Sequence, residues 1–154
     1  MASPGDTMGQ PSAHTLHVLV DTNVVLDLLL ARHPWLHDAQ PMWDAHDAGH
    51  LVAYLSASAL TDIYYVCRKL VGIDRAHQAM EACLQAFGIL AVNRAILSAA
   101  LSLPGGDFED NVQIASAQAA GLALIVTRNT RDFAHSPILA VEPTGVLGHL
   151  TRPR

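Results

Sequence analysis

Val18-Leu19-Val20-Asp21-Thr22-Asn23-Val24-Val25-Leu26-Asp27 is the stretch whose reading decides the fold. His17 to Val20 carries no Asp, Glu, Lys or Arg and is rich in β-branched side chains, as expected of a strand buried on both faces. Asp21 then falls at the strand's carboxyl end, which in a parallel α/β sheet is where ligands bind. From Thr22 to Ala31 the apolar spacing becomes helical, with Val24, Val25, Leu28 and Leu29 on one face. Read by itself, Asp21 serves equally well as a cap or as a charge favoured by the helix dipole.

Outward from this stretch, strands and helices alternate. The spacing predicts a second helix from His33-Pro34 to about Gly49, with Pro41 kinking it or delaying its start. It predicts a strand at Leu51–Ser56, a helix from Ala59 to about Leu70 capped by Ser58, and a helix from Asp74 to Phe87. The inward face of that last helix is expected to carry Ala76, Ala79, Met80, Cys83, Leu84 and Phe87. Beyond it come a strand at Gly88–Val92, a helix at Arg94–Leu103, the breaker Pro104-Gly105-Gly106, and an Ala-rich helix from Asp107 to Ala120. Leu122–Thr127 is a strand, Arg128–Phe133 a loop, Ile138–Val141 a short strand and Thr144–Leu150 a closing helix. Such alternation implies right-handed βαβ crossovers and a mainly parallel sheet covered on both sides.

The chain has 154 residues, which suits one domain with one core. Met1 to His14 is rich in Gly, Pro, Ser and Thr, so residues 1–14 are expected to form a disordered tail and 15–154 a single domain. Hydrophobic residues make up 51% and charged residues 15%, with no apolar run long enough to span a membrane. Cys67 and Cys83 lack zinc or redox spacing, and no secretory signal is visible, so the expected location is a reducing cytoplasm. The net charge of −5 argues mildly against a nucleic-acid binder unless a bound cation offsets it. His33 with His37 and His46 with His50 have the spacing of a metal clip, without a third ligand in sight.

Placing the acids on this layout brings out the chemistry. Asp62 lies early in the helix after the second strand, Asp107, Glu109 and Asp110 start the Ala-rich helix, and Asp132 follows the Leu122–Thr127 strand. Each by itself reads as a surface charge or a cap. Together they converge from separate segments, and such carboxylates repel one another unless a cation neutralises them. Oxygen ligands without His or Cys suit Mg²⁺ or Mn²⁺ rather than zinc.

Val20-Asp21-Thr22-Asn23-Val24, then Asp110 before Ile114-Ala115-Ser116-Ala117, then Val126-Thr127-Arg128-Asn129-Thr130-Arg131-Asp132-Phe133 resemble, in order and spacing, the PIN-domain nucleases and in particular the small VapC-like toxins of bacterial toxin–antitoxin pairs. The resemblance covers roughly His17 to Leu150. It implies a three-layer α/β/α sandwich and a Mg²⁺- or Mn²⁺-dependent endoribonuclease with catalytic acids at Asp21, Asp62, Asp110 and Asp132, of which Asp21, Asp110 and Asp132 hold metal. Asp62 stands where the family usually has Glu and is one methylene shorter. Asn23, Asp107, Glu109 and Thr127 are the expected supporting residues, and Arg128 and Arg131 the expected RNA contacts. The resemblance further implies an RNA substrate, a cognate antitoxin protein, and a homodimer, for which Trp35, Trp43, Leu29 and Tyr65 are candidate contacts. Two other readings compete. One is a catalytically impaired PIN fold that only binds RNA or protein. The other is an aspartyl-phosphate protein, disfavoured because Asp21-Thr22-Asn23-Val24-Val25 lacks the dehalogenase DxDxT pattern and the single lysine, Lys69, falls on a helix.

Overall fold

The computed structural model describes residues 15–150; the expected tail at 1–14 lies outside them. Among these residues five strands form one sheet: β1 (Leu16–Val20), β2 (Leu51–Ser56), β3 (Gly88–Leu90), β4 (Leu124–Val126) and β5 (Leu139–Val141). Their order is β3-β2-β1-β4-β5, and every pairing is parallel. The chain winds outward from β1 to β3, returns, and continues on the other side through β4 and β5. The direction of winding therefore reverses between β1 and β4, the place where parallel sheets open a crevice beyond their carboxyl ends.

Side chains alternate across the sheet with the period of two that a strand imposes. Val18, Val20, Leu51, Ala53, Leu55, Leu124 and Val126 join one core with α1 (Thr22–Leu29), α2 (Trp35–Asp47), α3 (Ala57–Val71) and α4 (Ile73–Ala86). Leu19 and Ile125 point the other way, onto Ile114 and Ala117 of α6 (Phe108–Ala119). α5 (Arg94–Leu101) packs against α6 through Ala100, Val112 and Ala115. The result is the expected α/β/α sandwich. Fully burying one of these aliphatic side chains contributes about 1.5–3 kcal/mol.

Several local expectations are corrected. The cap of α3 is Ser56, not Ser58: Ser56 ends β2 in extended geometry and its Oγ accepts from the Ala59 amide at 3.3 Å, so the strand turns straight into the helix. α2 runs through Pro41, whose ring lies on the exposed side while Ala39, Met42 and Ala45 face the core. Leu84 is exposed, because the inward face of α4 is centred on Ala76 and Cys83. The expected loop at Arg128–Phe133 contains a 3₁₀ turn, Thr130–Phe133. The closing helix is 3₁₀ over Pro143–His149, a segment with two glycines. Among the described residues no helix is long and apolar enough to cross a membrane.

Candidate active site

Backbone groups on two sides hold Asp21. Its amide donates to the Val126 carbonyl at 2.9 Å, which locks the end of β1 to β4, and its Oδ1 accepts from the Thr22 amide at 2.8 Å as the N-cap of α1. Two side chains far away in sequence complete the grip. Thr127 Oγ1 donates to Oδ2 at 2.9 Å, and Gln113 Nε2 donates to Oδ1 at 3.1 Å. Thr127 Oγ in turn accepts from the Asn129 amide, which holds the turn leading to Asp132. Asp21 is 6% exposed, so these bonds replace most of its water.

The α6 helix supplies the next acids from its first turn. Asp107 caps it, accepting from the Asp110 amide at 3.0 Å, and Asp110 stands half-buried beside it. Asp107, Asp110 and Asp132 line one cleft of about 300 Å³ together with Gly105, Gly106 and His135. Burial, followed by the charges of Asp107, Asp21 and Asp132, pushes the Asp110 carboxyl up to about 6. Asp62 lies within hydrogen-bonding reach of Glu109. That shared proton is the largest cause holding Glu109 up at about 7, with burial and then the charges of Asp62, Asp107 and Asp110 adding to it. Glu109 is exposed at the rim, so the Asp62 contact outweighs desolvation there.

The two raised carboxyls make the metal-free protein sensitive to pH. Both bind a proton more tightly folded than unfolded, so their contribution favours folding in acid and is lost as pH rises through about 6 and then about 7. Discounted for solvent screening at these partly exposed groups, the loss amounts to about 1 kcal/mol. Thermal melts of the metal-free protein are expected to show a midpoint that falls from about pH 4 to about pH 7 and levels off above it, and a midpoint that rises over this range speaks against the acid cluster.

The structure thus brings Asp21, Asp107, Asp110 and Asp132 to one edge of the sheet, with Asp62 and Glu109 paired next to them. Among the described residues, no three Asp, Glu, His or Cys side chains stand close enough together to chelate one ion as placed. The donor set still suits a hard divalent cation, because each carboxylate offers only oxygen and, after burial, the charges of Asp107, Asp21 and Asp132 add to the rise at Asp110. Asn23 lies in the first turn of α1, where its carbonyl accepts from Arg32. Arg131 is exposed in the 3₁₀ turn next to Asp132. Arg128 is committed elsewhere: its Nε stands 2.8 Å from Oδ2 of buried Asp27, and its guanidinium lies 4.1 Å over the Trp35 ring. The His46 ring spends both nitrogens on backbone, Nε2 on the Ala86 carbonyl and Nδ1 on the Ala53 amide.

Sequence reasoning passed over Gln113 and Asp27. A signal for Gln113 was present: a long amide three residues after Asp110, one helical step along the same face, inside a run from Asn111 to Ala117 that is wholly buried. Asp27 gives no comparable local sign, because one of its two guanidinium partners, Arg128, lies about a hundred residues away.

A PIN domain family model matches residues 17–131. No curated protein matches the chain in sequence. Among solved structures, a toxin–antitoxin complex from Klebsiella pneumoniae is similar at 24% identity and a TM-score of 0.62, over 82% of this chain and 97% of that one. Mycobacterium tuberculosis VapC20, described as a sarcin–ricin loop cleaving toxin, is similar at 16% identity and a TM-score of 0.65, over 80% and 98%. DNA-bound VapBC from Salmonella typhimurium is similar at 17% identity and a TM-score of 0.66, over 84% and 99%. The family match spans most of the chain, including Asp21, Asp110 and the Thr127 turn, and on that ground the chain belongs to the PIN domain family.

Proposed function

We propose that this protein is a metal-dependent endoribonuclease that hydrolyses RNA phosphodiester bonds and acts as the toxin of a toxin–antitoxin pair. One observation supports the reading: Asp21, Asp110 and Asp132 come from separate chain segments to the carboxyl end of the sheet beside β1 and β4, near enough that the charges of Asp21 and Asp132 add to burial in raising Asp110. Asp21, Asp110 and Asp132 are the residues that would hold Mg²⁺ or Mn²⁺. Such an ion supplies charge neutralisation at the phosphate and a water of lowered pKa. The protein's own part is positional. Asp21 accepts three hydrogen bonds, which fixes its orientation and leaves about one of its four acceptor sites open toward a cation. Asp107 holds the first turn of α6, from which Asp110 lines the cleft, and Arg131, exposed beside Asp132, would meet a neighbouring phosphate. The test is cleavage of single-stranded RNA that requires Mg²⁺ or Mn²⁺ and stops with a chelator; RNA left intact with either ion refutes the assignment.

Metal binding has a second readout. A cation held only by the folded state stabilises it by mass action, by on the order of 2–3 kcal/mol at a hundredfold excess over its Kd, or about 5–10 °C for a domain of this size. Millimolar Mn²⁺ is expected to raise the melting temperature; an unchanged midpoint speaks against a formed site.

The partner assignment draws on the similar solved structures, several of which are toxin–antitoxin complexes. A small open reading frame encoding a DNA-binding motif immediately upstream of this gene, and a stable complex of the two products, are the expected findings. Assembly as a homodimer fits the exposed Tyr65 (64%) and Trp35 (40%), with Trp43 and Leu29 lining an apolar groove between α1, α2 and α4. Light scattering at micromolar concentration is expected to give twice the chain mass. A cytoplasmic location agrees with two free buried cysteines, Cys67 and Cys83.

A binding-only PIN fold is the competing reading, and the pairing of Asp62 with Glu109 rather than with Asp21 or Asp110 favours it. Tight RNA binding without cleavage in the same assay would select it.

A further inference from the structure

His135 lies on the cleft that holds Asp107, Asp110 and Asp132, and its ring is pinned by an arrangement the metal chemistry does not require. Asn111, 3% exposed in the first turns of α6, donates from Nδ2 to the Gly105 carbonyl at 2.8 Å. That bond fixes the amide, so its Oδ1 can only accept, and it stands 2.8 Å from His135 Nε2. Nε2 must therefore carry the hydrogen, and in the neutral ring Nδ1 is the acceptor. Among the described residues Nδ1 has no hydrogen-bond partner. Gly105 completes the bracket. A Cβ there would overlap the His135 ring and stand 2.7 Å from Asn111 Oδ1, so only glycine admits the ring this close.

We propose, building on the ribonuclease reading, that His135 Nδ1 accepts the proton of the attacking water. The water oxygen bonds to phosphorus as the ester P–O bond breaks, the water proton passes to Nδ1, and the leaving oxygen takes a proton from solvent. His135 then returns its proton to bulk water, and the products are a phosphomonoester and an alcohol. Asn111 is a positioning residue: it holds the tautomer and the ring, as an amide or carboxylate does behind many catalytic imidazoles. The groups facing His135 across the cleft are the carboxylates of Asp107, Asp110 and Asp132, with no Lys or Arg among the residues lining it.

The experiment has two arms. In the first, protein labelled with ¹⁵N at histidine is read by imidazole nitrogen shifts, the His135 signal being assigned by its loss in His135→Gln. A protonated Nε2 with a bare Nδ1 is expected, and the opposite tautomer overturns the proposal. In the second, kcat and KM for RNA are compared for the wild type, His135→Gln and His135→Ala. Gln still donates to Asn111 and keeps the bracket, so its melting temperature should stay at the wild-type value while kcat falls about a hundredfold with KM little changed. Added imidazole should restore part of the rate of His135→Ala, which a purely structural histidine would not allow. Wild-type kcat in His135→Gln, or no rescue by imidazole, overturns the role of His135 alone. A wild type that cuts no RNA overturns the ribonuclease reading and this inference with it.

Discussion

Asp21→Asn is expected to abolish RNA cleavage while leaving the metal-free fold as stable as the native one or more so. The geometry permits the exchange. Asn keeps an oxygen for the Thr22 amide and the Gln113 amide, and its new NH₂ meets Thr127 Oγ, a hydroxyl that can rotate and accept. The hydrogen bonds therefore change by no more than about 1 kcal/mol. In the other direction, removing one charge relieves the repulsion that Asp21 contributes at Asp110. Asn is also a good N-cap, so α1 should still start where it does. Cleavage assays and thermal melts on the same preparation check both halves. Full metal-dependent activity in Asp21→Asn would overturn the proposed mechanism. A large loss of stability would instead mean that Asp21 is there to hold β1 against β4.

The largest stability effect is expected away from the cleft, at Asp27. It is 1% exposed and flanked by Arg32, whose Nε is 2.9 Å from Oδ1, and by Arg128, whose Nε is 2.8 Å from Oδ2. Asp27→Ala leaves two guanidinium groups facing a cavity. Breaking a buried pair in this way costs roughly 3–5 kcal/mol, and the partial exposure of both arginines places the expected loss near the lower end, at about 3 kcal/mol. Arg128→Ala should cost less, because Arg32 stays on Asp27 and only the Trp35 contact is lost as well. Chemical denaturation of the two variants measures this directly. It also bears on the RNA role expected for Arg128. If the guanidinium serves the fold, Arg128→Ala lowers stability and leaves KM near the wild-type value. If it serves substrate, KM rises and stability holds.

Two kinds of information separate in this protein. The sequence by itself determined the layering, because strand and helix are written in periods of two and 3.6 that a single residue shift would scramble. Val18, Leu19 and Val20 alternate across the sheet as their spacing requires, and Asp21, Asp107 and Asp110 fall where a strand ends or a helix begins, positions marked by local chemistry. Boundaries were less legible. Ser56 rather than Ser58 caps α3 because the strand register with β3, not the local preference for serine, fixes where extended geometry ends.

Contacts between distant segments were decided only by the tertiary structure. Gln113 reaches Asp21 across 92 positions, Arg128 reaches Asp27 across 101, and His135 reaches Asn111 across 24. No spacing rule relates such pairs, since they meet only when the crossovers have brought β1, β4 and α6 together. Their partners settle their roles: an arginine beside an acidic motif pairs with a buried aspartate, and a glutamine in a helix orients a carboxylate. A side chain's type and period are properties of the chain, while the charge and hydrogen bond it faces are properties of the packed sheet.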